Sequence, residues 1–219
     1  MSPAQITKAV IESFFDEFSF NRPGAVFMWI IVVVAAIALA IFLERVYVVI
    51  FKSKVNTRKF MTEIIRLIRA KKFDQALALC DAAPESALPF IAKAGILQAD
   101  RGVRAVQNAM DEASLAIIPK IQKRIPYLSV LANISTLSGL MGTIFGLMYS
   151  FKSVSLLSPS EQASALATGI SAAMNTTLFG LFVAIPTTVA YAWLSSQATG
   201  LVDDLDEQSV RLINTLSEI

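Results

Sequence analysis

Three stretches of this chain, residues 23–43, 125–151 and 162–202, contain no Asp, Glu, Lys or Arg. Each exceeds the roughly 18 apolar residues that mark a helix crossing a hydrocarbon core, where every backbone polar group must be satisfied within the segment. The pattern predicts an all-α integral membrane protein with three transmembrane helices. Composition agrees: 219 residues at 55% hydrophobic and 16% charged are too apolar for a soluble domain of this size.

The third run would span about 60 Å as one helix, twice the thickness of the hydrocarbon core. A hairpin of two spans competes with one long helix, but only Gly180 and Pro186 offer a turn, and Phe179, Leu181, Phe182, Val183 and Ile185 around them are strongly apolar. The preferred reading is one helix, embedded from about Gly169 to Trp193, that continues into water through Ser195, Ser196, Gln197 and Thr199.

Fifteen of the nineteen basic residues lie in the connector 44–124. Because cytoplasmic loops accumulate Lys and Arg, this places the amino terminus outside and the carboxy terminus inside. The expected division is an outer-face amphipathic segment 1–22, a first span 23–43, and a helical cytoplasmic domain 44–124. A second span 125–151, an outer loop 152–163, a long third helix 164–196 and a cytoplasmic C-terminal helix 197–219 follow, the cytoplasmic domain being continuous with the long second and third helices. No basic cluster precedes the first apolar run and no small-residue cleavage site follows it, so this span is expected to remain as an anchor. Ahead of it Ile6, Val10, Phe14 and Phe18 recur opposite Lys8, Glu12 and Asp16. That spacing suits a helix lying on the outer membrane surface or packed on the chain's own spans.

Whole classes of chemistry are absent. Without histidine there is no histidine base, triad or metal ligand. The lone Cys80 shares helical spacing with Phe73 and Leu77, which reads as a core thiol. No phosphate-cradling glycine loop occurs, and Ser138 beside Gly139 has no histidine to activate it. The expectation is a non-enzymatic chain with no metal, no cofactor and no nucleic-acid partner, in contact with the lipid bilayer. The connector predicts four helices, 58–72, 73–82 ended by Pro84, 88–100 and 102–118, with Pro119 and Pro126 bracketing the entry to the second span. Its basic surface suits anionic headgroups or a partner, although positive-inside topology accounts for most of it.

Ser138, Gly142, Gly146 and Ser150 lie four apart on the second span, beside a row of Ser135, Gly139 and Thr143. The third span carries Thr168, Ala172, Thr176, Gly180, Ala184, Thr188, Ala192 and Ser196 at the same step. Small residues so spaced let helices approach closely in lipid, and packing within the chain explains most of them. A four-residue step drifts about 40° around a helix, so such rows cannot all face one neighbour. Several surfaces are implied, as in a ring-forming protomer whose remaining hydroxyls line a lumen.

The stretches "GLMGTIFGLMYSF" and "ISAAMNTTLFGLFVAIPTTVAY" resemble the paired motifs of the MotA/TolQ/ExbB proton-channel family, and "FDQALALCDAAPESALPFIAKAGI" resembles its ExbB-like branch. Three spans are similar to TolQ and ExbB, since MotA subunits usually have four. The resemblance implies a homo-pentamer in the bacterial inner membrane around a dimer of a single-span ExbD/TolR-like protein, whose membrane aspartate carries the proton. It implies further contact with a TonB/TolA-like protein. By the same resemblance Thr143 and Thr177 are lumen-facing threonines near that aspartate, with Thr176 and Asn175 as secondary candidates equally explicable as interhelical contacts. Ser138, Gly139, Gly142, Gly146, Gly180 and Ala184 are packing positions, and Pro186 is a helix kink that releases a carbonyl. Glu44 with Arg45 reads as an interfacial anchor in preference to a proton site.

The chain departs from the family pattern at Thr136, where many relatives have proline, and at Ala192, where asparagine is frequent. The implied function is a proton-driven motor subunit for TonB-type transport, Tol-type envelope function or related motility. A flagellar-stator-like MotA subunit and a non-conducting membrane scaffold are the alternatives.

Overall fold

The computed structural model describes residues 12, 14–15, 18–19, 24–52, 57–83, 86–155 and 157–217, and among these there is no β-strand. The helices are α1 (Ala25–Val46), α2 (Thr57–Arg69), α3 (Phe73–Asp81), α4 (Ala87–Ile96), α5 (Val103–Gln122), α6 (Ile125–Val154) and α7 (Pro159–Ser217). A π-helical turn, Tyr47–Lys52, extends α1, and a 3-10 turn, Ala99–Arg101, separates α4 from α5. Three helical segments, Ala25–Ile50, Val103–Lys152 and Pro159–Ser217, are long and apolar enough to cross a membrane. The chain divides into two compact units, Met1–Phe42 with Tyr127–Tyr191, and Leu43–Pro126 with Ala192–Ile219.

The first unit is built from α1 and the apolar parts of α6 and α7. In α1, Met28, Ile31, Val34 and Ala38 are buried while Val26, Ile30, Val33 and Ile37 are exposed. A helix apolar on every side suits lipid, because its outer face loses nothing by meeting hydrocarbon. The expected outer-face helix lies mostly outside the described residues. Of its apolar positions, Phe14 and Phe18 set their rings edge-on against Phe179, with centroids 5.7 and 5.4 Å apart. Phe18 also meets Trp29, whose indole N–H donates to the Phe18 carbonyl at 3.2 Å.

The second unit has a conventional core. From α2 it takes Met61, Ile64 and Ile68, from α4 Leu88, Ile91 and Ile96, and from α5 Val106 and Met110. Neighbouring helices pack in sequence, α2 on α3, α3 on α4 and α4 on α5. Gly95 permits the last contact, since a Cβ there would lie 2.6 Å from the Met110 sulfur. In α7, the positions Leu194, Ala198, Leu201, Leu205, Gln208, Leu212 and Thr215 are buried, a step that alternates four and three.

Three expected boundaries shift. Pro119 lies inside α5, which runs on to Gln122, and the break falls at Lys123 and Arg124, where Arg124 adopts φ 67°. Proline removes only its own bond to the carbonyl four residues back, that of Leu115, and both residues are exposed, so water can serve that carbonyl. Pro126 sits in the first turn of α6, where a missing N–H is harmless. The connector expected at 152–163 is shorter, because α6 persists to Val154 and α7 starts at Pro159. The reason is local: Ser158, Pro159 and Glu161 form the S-x-x-E pattern with proline at the first helical position. The Ser158 carbonyl accepts from the Glu161 N–H at 2.9 Å. Finally, α7 has no break near 196–197 and reaches Ser217 as one helix.

Candidate functional site

Within the first unit α6 and α7 run antiparallel with their backbones close together. Ser150 lies against Gly169, Gly146 against Ala173, Gly142 against Thr176 and Gly139 against Gly180. Falling numbers on α6 thus meet rising numbers on α7, small residue against small residue at every turn. A Cβ on Gly180 would sit 2.8 Å from the Ser135 carbonyl oxygen, closer than real side chains come, and 3.1 Å from the Gly139 Cα, a tight contact. The Ser135 hydroxyl, fully buried, donates to the Gly180 carbonyl at 3.1 Å. Close approach and interhelical hydrogen bonds are what hold helices together where water does not drive them.

Thr143 and Thr177 meet at one edge of this contact. The Thr143 hydroxyl donates to the Gly139 carbonyl one turn back at 3.1 Å, and Thr177 donates to the same carbonyl across the interface at 2.9 Å. The two hydroxyl oxygens also lie within reach of each other, so either could give its proton to the other in place of the carbonyl. Both side chains are half-buried, so this cluster of three oxygens borders the open surface of the hairpin.

The other candidates are placed differently. Thr176 is buried against Gly142, its hydroxyl donating to Ala172 at 3.3 Å, and so belongs to the packing. Asn175 is buried too, and its amide nitrogen has no partner among the described residues. Two residues before Thr177, it sits about 160° around α7 from it, away from the threonine pair. Ser138, Gly139, Gly142, Gly146, Gly180 and Ala184 are all buried. Pro186 is exposed within α7 and cannot bond the Phe182 carbonyl, while the hydroxyls of Thr187 and Thr188 bond those of Val183 and Ala184 at 2.7 and 2.9 Å. Glu44 bridges Arg45 and Arg124 at 2.6 and 2.7 Å in the second unit, and Arg45 also donates to the Lys120 carbonyl at 3.4 Å.

The hydroxyl cluster has no acid or base of its own in 125–151 or 162–202. No group of three or more His, Cys, Asp or Glu side chains suited to a metal ion occurs among the described residues. The arrangement can accept or donate hydrogen bonds to an ionisable group brought from elsewhere without adding fixed charge.

Residues 83–207 match the MotA/TolQ/ExbB proton channel family. The Tol-Pal system protein TolQ of Haemophilus influenzae is 35% identical over 104 residues, covering 47% of this chain and 44% of that protein. A putative biopolymer transport protein ExbB-like 3 of Synechocystis is 30% identical over 154 residues, 69% of this chain and 71% of its own length. The chain thus spans less than half the length of the TolQ proteins it matches, in Haemophilus influenzae and in Pseudomonas aeruginosa alike. In three dimensions it is similar to a chain in the structure of C. jejuni MotAB, with a TM-score of 0.61 at 20% identity over 85% of this chain and 74% of that one.

Proposed function

Since this chain belongs to the MotA/TolQ/ExbB proton channel family, we propose that it is the ring-forming subunit of a proton-driven motor of the ExbB–ExbD or TolQ–TolR type. Five copies surround the membrane helices of two copies of a single-span partner, in the inner membrane of a bacterium, with the amino terminus periplasmic and the carboxy terminus cytoplasmic. The partner supplies a membrane aspartate. This chain supplies no cofactor and no covalent chemistry; its transported ion is the proton.

The observation that carries this reading is the convergence of the Thr143 and Thr177 hydroxyls on the Gly139 carbonyl, in a unit whose second and third spans hold no charge. A charged side chain in mid-bilayer costs several kcal/mol, and a proton removes most of that cost from a carboxylate. Hydroxyls that donate to the ionised acid and accept from the protonated one can serve both states. A proton crossing the membrane releases roughly 2.3 kcal/mol per 100 mV, enough to bias a conformational step and transmit force to the cell envelope.

The output is TonB-type transport or Tol-type envelope function, in keeping with the ExbB and TolQ names among the relatives. A flagellar stator is disfavoured by finding three helical segments long and apolar enough to span among the described residues, and a passive scaffold by the oxygen cluster at the hairpin's edge. The test is proton uptake into vesicles containing the chain with its co-purified partner. Thr143→Val is expected to assemble yet lose most of the flux, and Thr143→Ser to keep it. Undiminished flux in Thr143→Val and Thr177→Val rejects the reading.

A further inference from the structure

At one end of each of the first two charge-free runs the chain gathers positive charge. Glu44 and Arg45 follow directly on the run 23–43, and Arg124 directly precedes the run 125–151, with Lys120 and Lys123 just ahead of it. Hydrogen bonds hold these two ends at one level: Arg124 donates to Glu44 at 2.7 Å, and Arg45 to the Lys120 carbonyl at 3.4 Å. All five residues belong to the second unit. Charge at the very edge of a spanning segment sits at headgroup depth, where lipid phosphates lie.

The cluster is unbalanced. Four basic side chains, those of Arg45, Lys120, Lys123 and Arg124, accompany one acid, and neither lysine pairs with an acid among the described residues. Positive-inside topology explains basic residues on this side of a membrane, but it does not ask for one to be buried. The Arg45 side chain is only 6% exposed, and its Nε–H has no acceptor among the described residues. A guanidinium withdrawn from water needs its charge matched, and one carboxylate shared with Arg124 matches only one of their two charges.

Donors remain on the open side. Lys120, Lys123 and Arg124 are exposed, and Arg124 commits a single N–H, at Nη1, to Glu44. The rest of its planar fork suits two oxygens of a phosphate, which a guanidinium binds in bidentate fashion. Ile125 opens α6 immediately afterwards, so the positive end of that helix dipole adds to the same field.

We infer that Arg124, Lys123 and Lys120 bind the phosphate of an anionic phospholipid at the break between α5 and α6, with Glu44, gripped by Arg45, fixing the Arg124 fork behind it. The ligand chemistry is that of a phosphate-bearing anion. Its source is the bilayer, because at this depth a lipid presents its phosphate without leaving the membrane. The site does not depend on the motor reading.

The test uses the full chain extracted from its own membranes into a neutral detergent and stripped of lipid. Phosphatidylglycerol or phosphatidylcholine in mixed micelles, or inorganic phosphate, is titrated in, and bound ligand is counted by native mass. One phosphatidylglycerol per chain is expected, in preference to phosphatidylcholine. Lys120→Gln with Lys123→Gln, which removes no side-chain bond among the described residues, is expected to weaken that binding about thirtyfold. Arg101→Gln with Arg104→Gln, an equal loss of charge around the start of α5, is expected to leave it unchanged. Equal binding of the two lipids, or the same change of affinity in both double variants, overturns the site. Saturation by inorganic phosphate with no phosphatidylglycerol bound overturns the bilayer as its source.

Discussion

The hydroxyl of Thr177 on α7 reaches the carbonyl of Gly139 on α6 at 2.9 Å, the carbonyl that Thr143 already uses within its own helix. Two side chains thirty-four residues apart thus share one acceptor, at the point where the two backbones pass closest.

Such a bond contributes little to holding the hairpin together. Thr177→Val is expected to cost only about 0.6 kcal/mol, the average for a hydroxyl bond between membrane helices. The thermal midpoint of the solubilised chain should scarcely move while proton-dependent function is lost. A large fall in midpoint would instead make Thr177 a packing residue.

Backbone contact is expected to be much less forgiving. Gly180→Val drives a branched side chain into the Ser135 carbonyl and Gly139, and should cost about 3 kcal/mol or more, against the 1–3 typical of overpacking. Gly200, also in α7, has open space where its Cβ would be, so Gly200→Ala should stabilise by about 0.5–1 kcal/mol. Paired thermal melts of the two variants, moving in opposite directions, are the expected result.

Burial pushes the Cys80 thiol up to about 11 from its ordinary 9.0, with the neighbouring Asp81 charge adding to the effect. Because the folded thiol holds its proton more tightly than the unfolded one, its contribution to stability is complete below pH 9 and is lost as pH rises toward 11. Wild-type protein should lose midpoint over that interval more steeply than Cys80→Ala. At pH 8 the native thiol should resist alkylation and react only after denaturation, as intact-mass measurement will show.

Arg45 has a side chain only 6% exposed, and Glu44 holds both it and Arg124. Glu44→Gln leaves that guanidinium without its acid. The expected cost is about 1–3 kcal/mol, below the figure for a fully buried pair because Glu44 itself is partly exposed. Heat denaturation should register it as a drop of several degrees.

The membrane architecture was legible because hydrocarbon imposes a simple rule: charge-free runs over 18 residues, as at 23–43, become helices. The drift of four-spaced rows was legible too. On α7 Thr176, Gly180 and Ala184 are buried, while Thr188, Ala192 and Ser196 have rotated into exposure. Register between α6 and α7 was not legible, since many alignments of two small-residue rows satisfy the same spacing. Only coordinates distinguish Gly146 on Ala173 from its neighbours one turn away. Pro119 misled because a proline's effect depends on whether its orphaned carbonyl is exposed, which the letters do not carry.

The oxygens of Thr143, Thr177 and Gly139 form a closed triangle with three links between them. Two hydroxyls supply two protons, so one link is always vacant. The arrangement is frustrated in the sense used for spins on a triangular lattice: no assignment satisfies every edge, and several differ only by rotation of an O–H about its Cβ–O bond. A charge brought to one side would select which edge stays empty, and no heavy atom would have to move for the local dipole to turn.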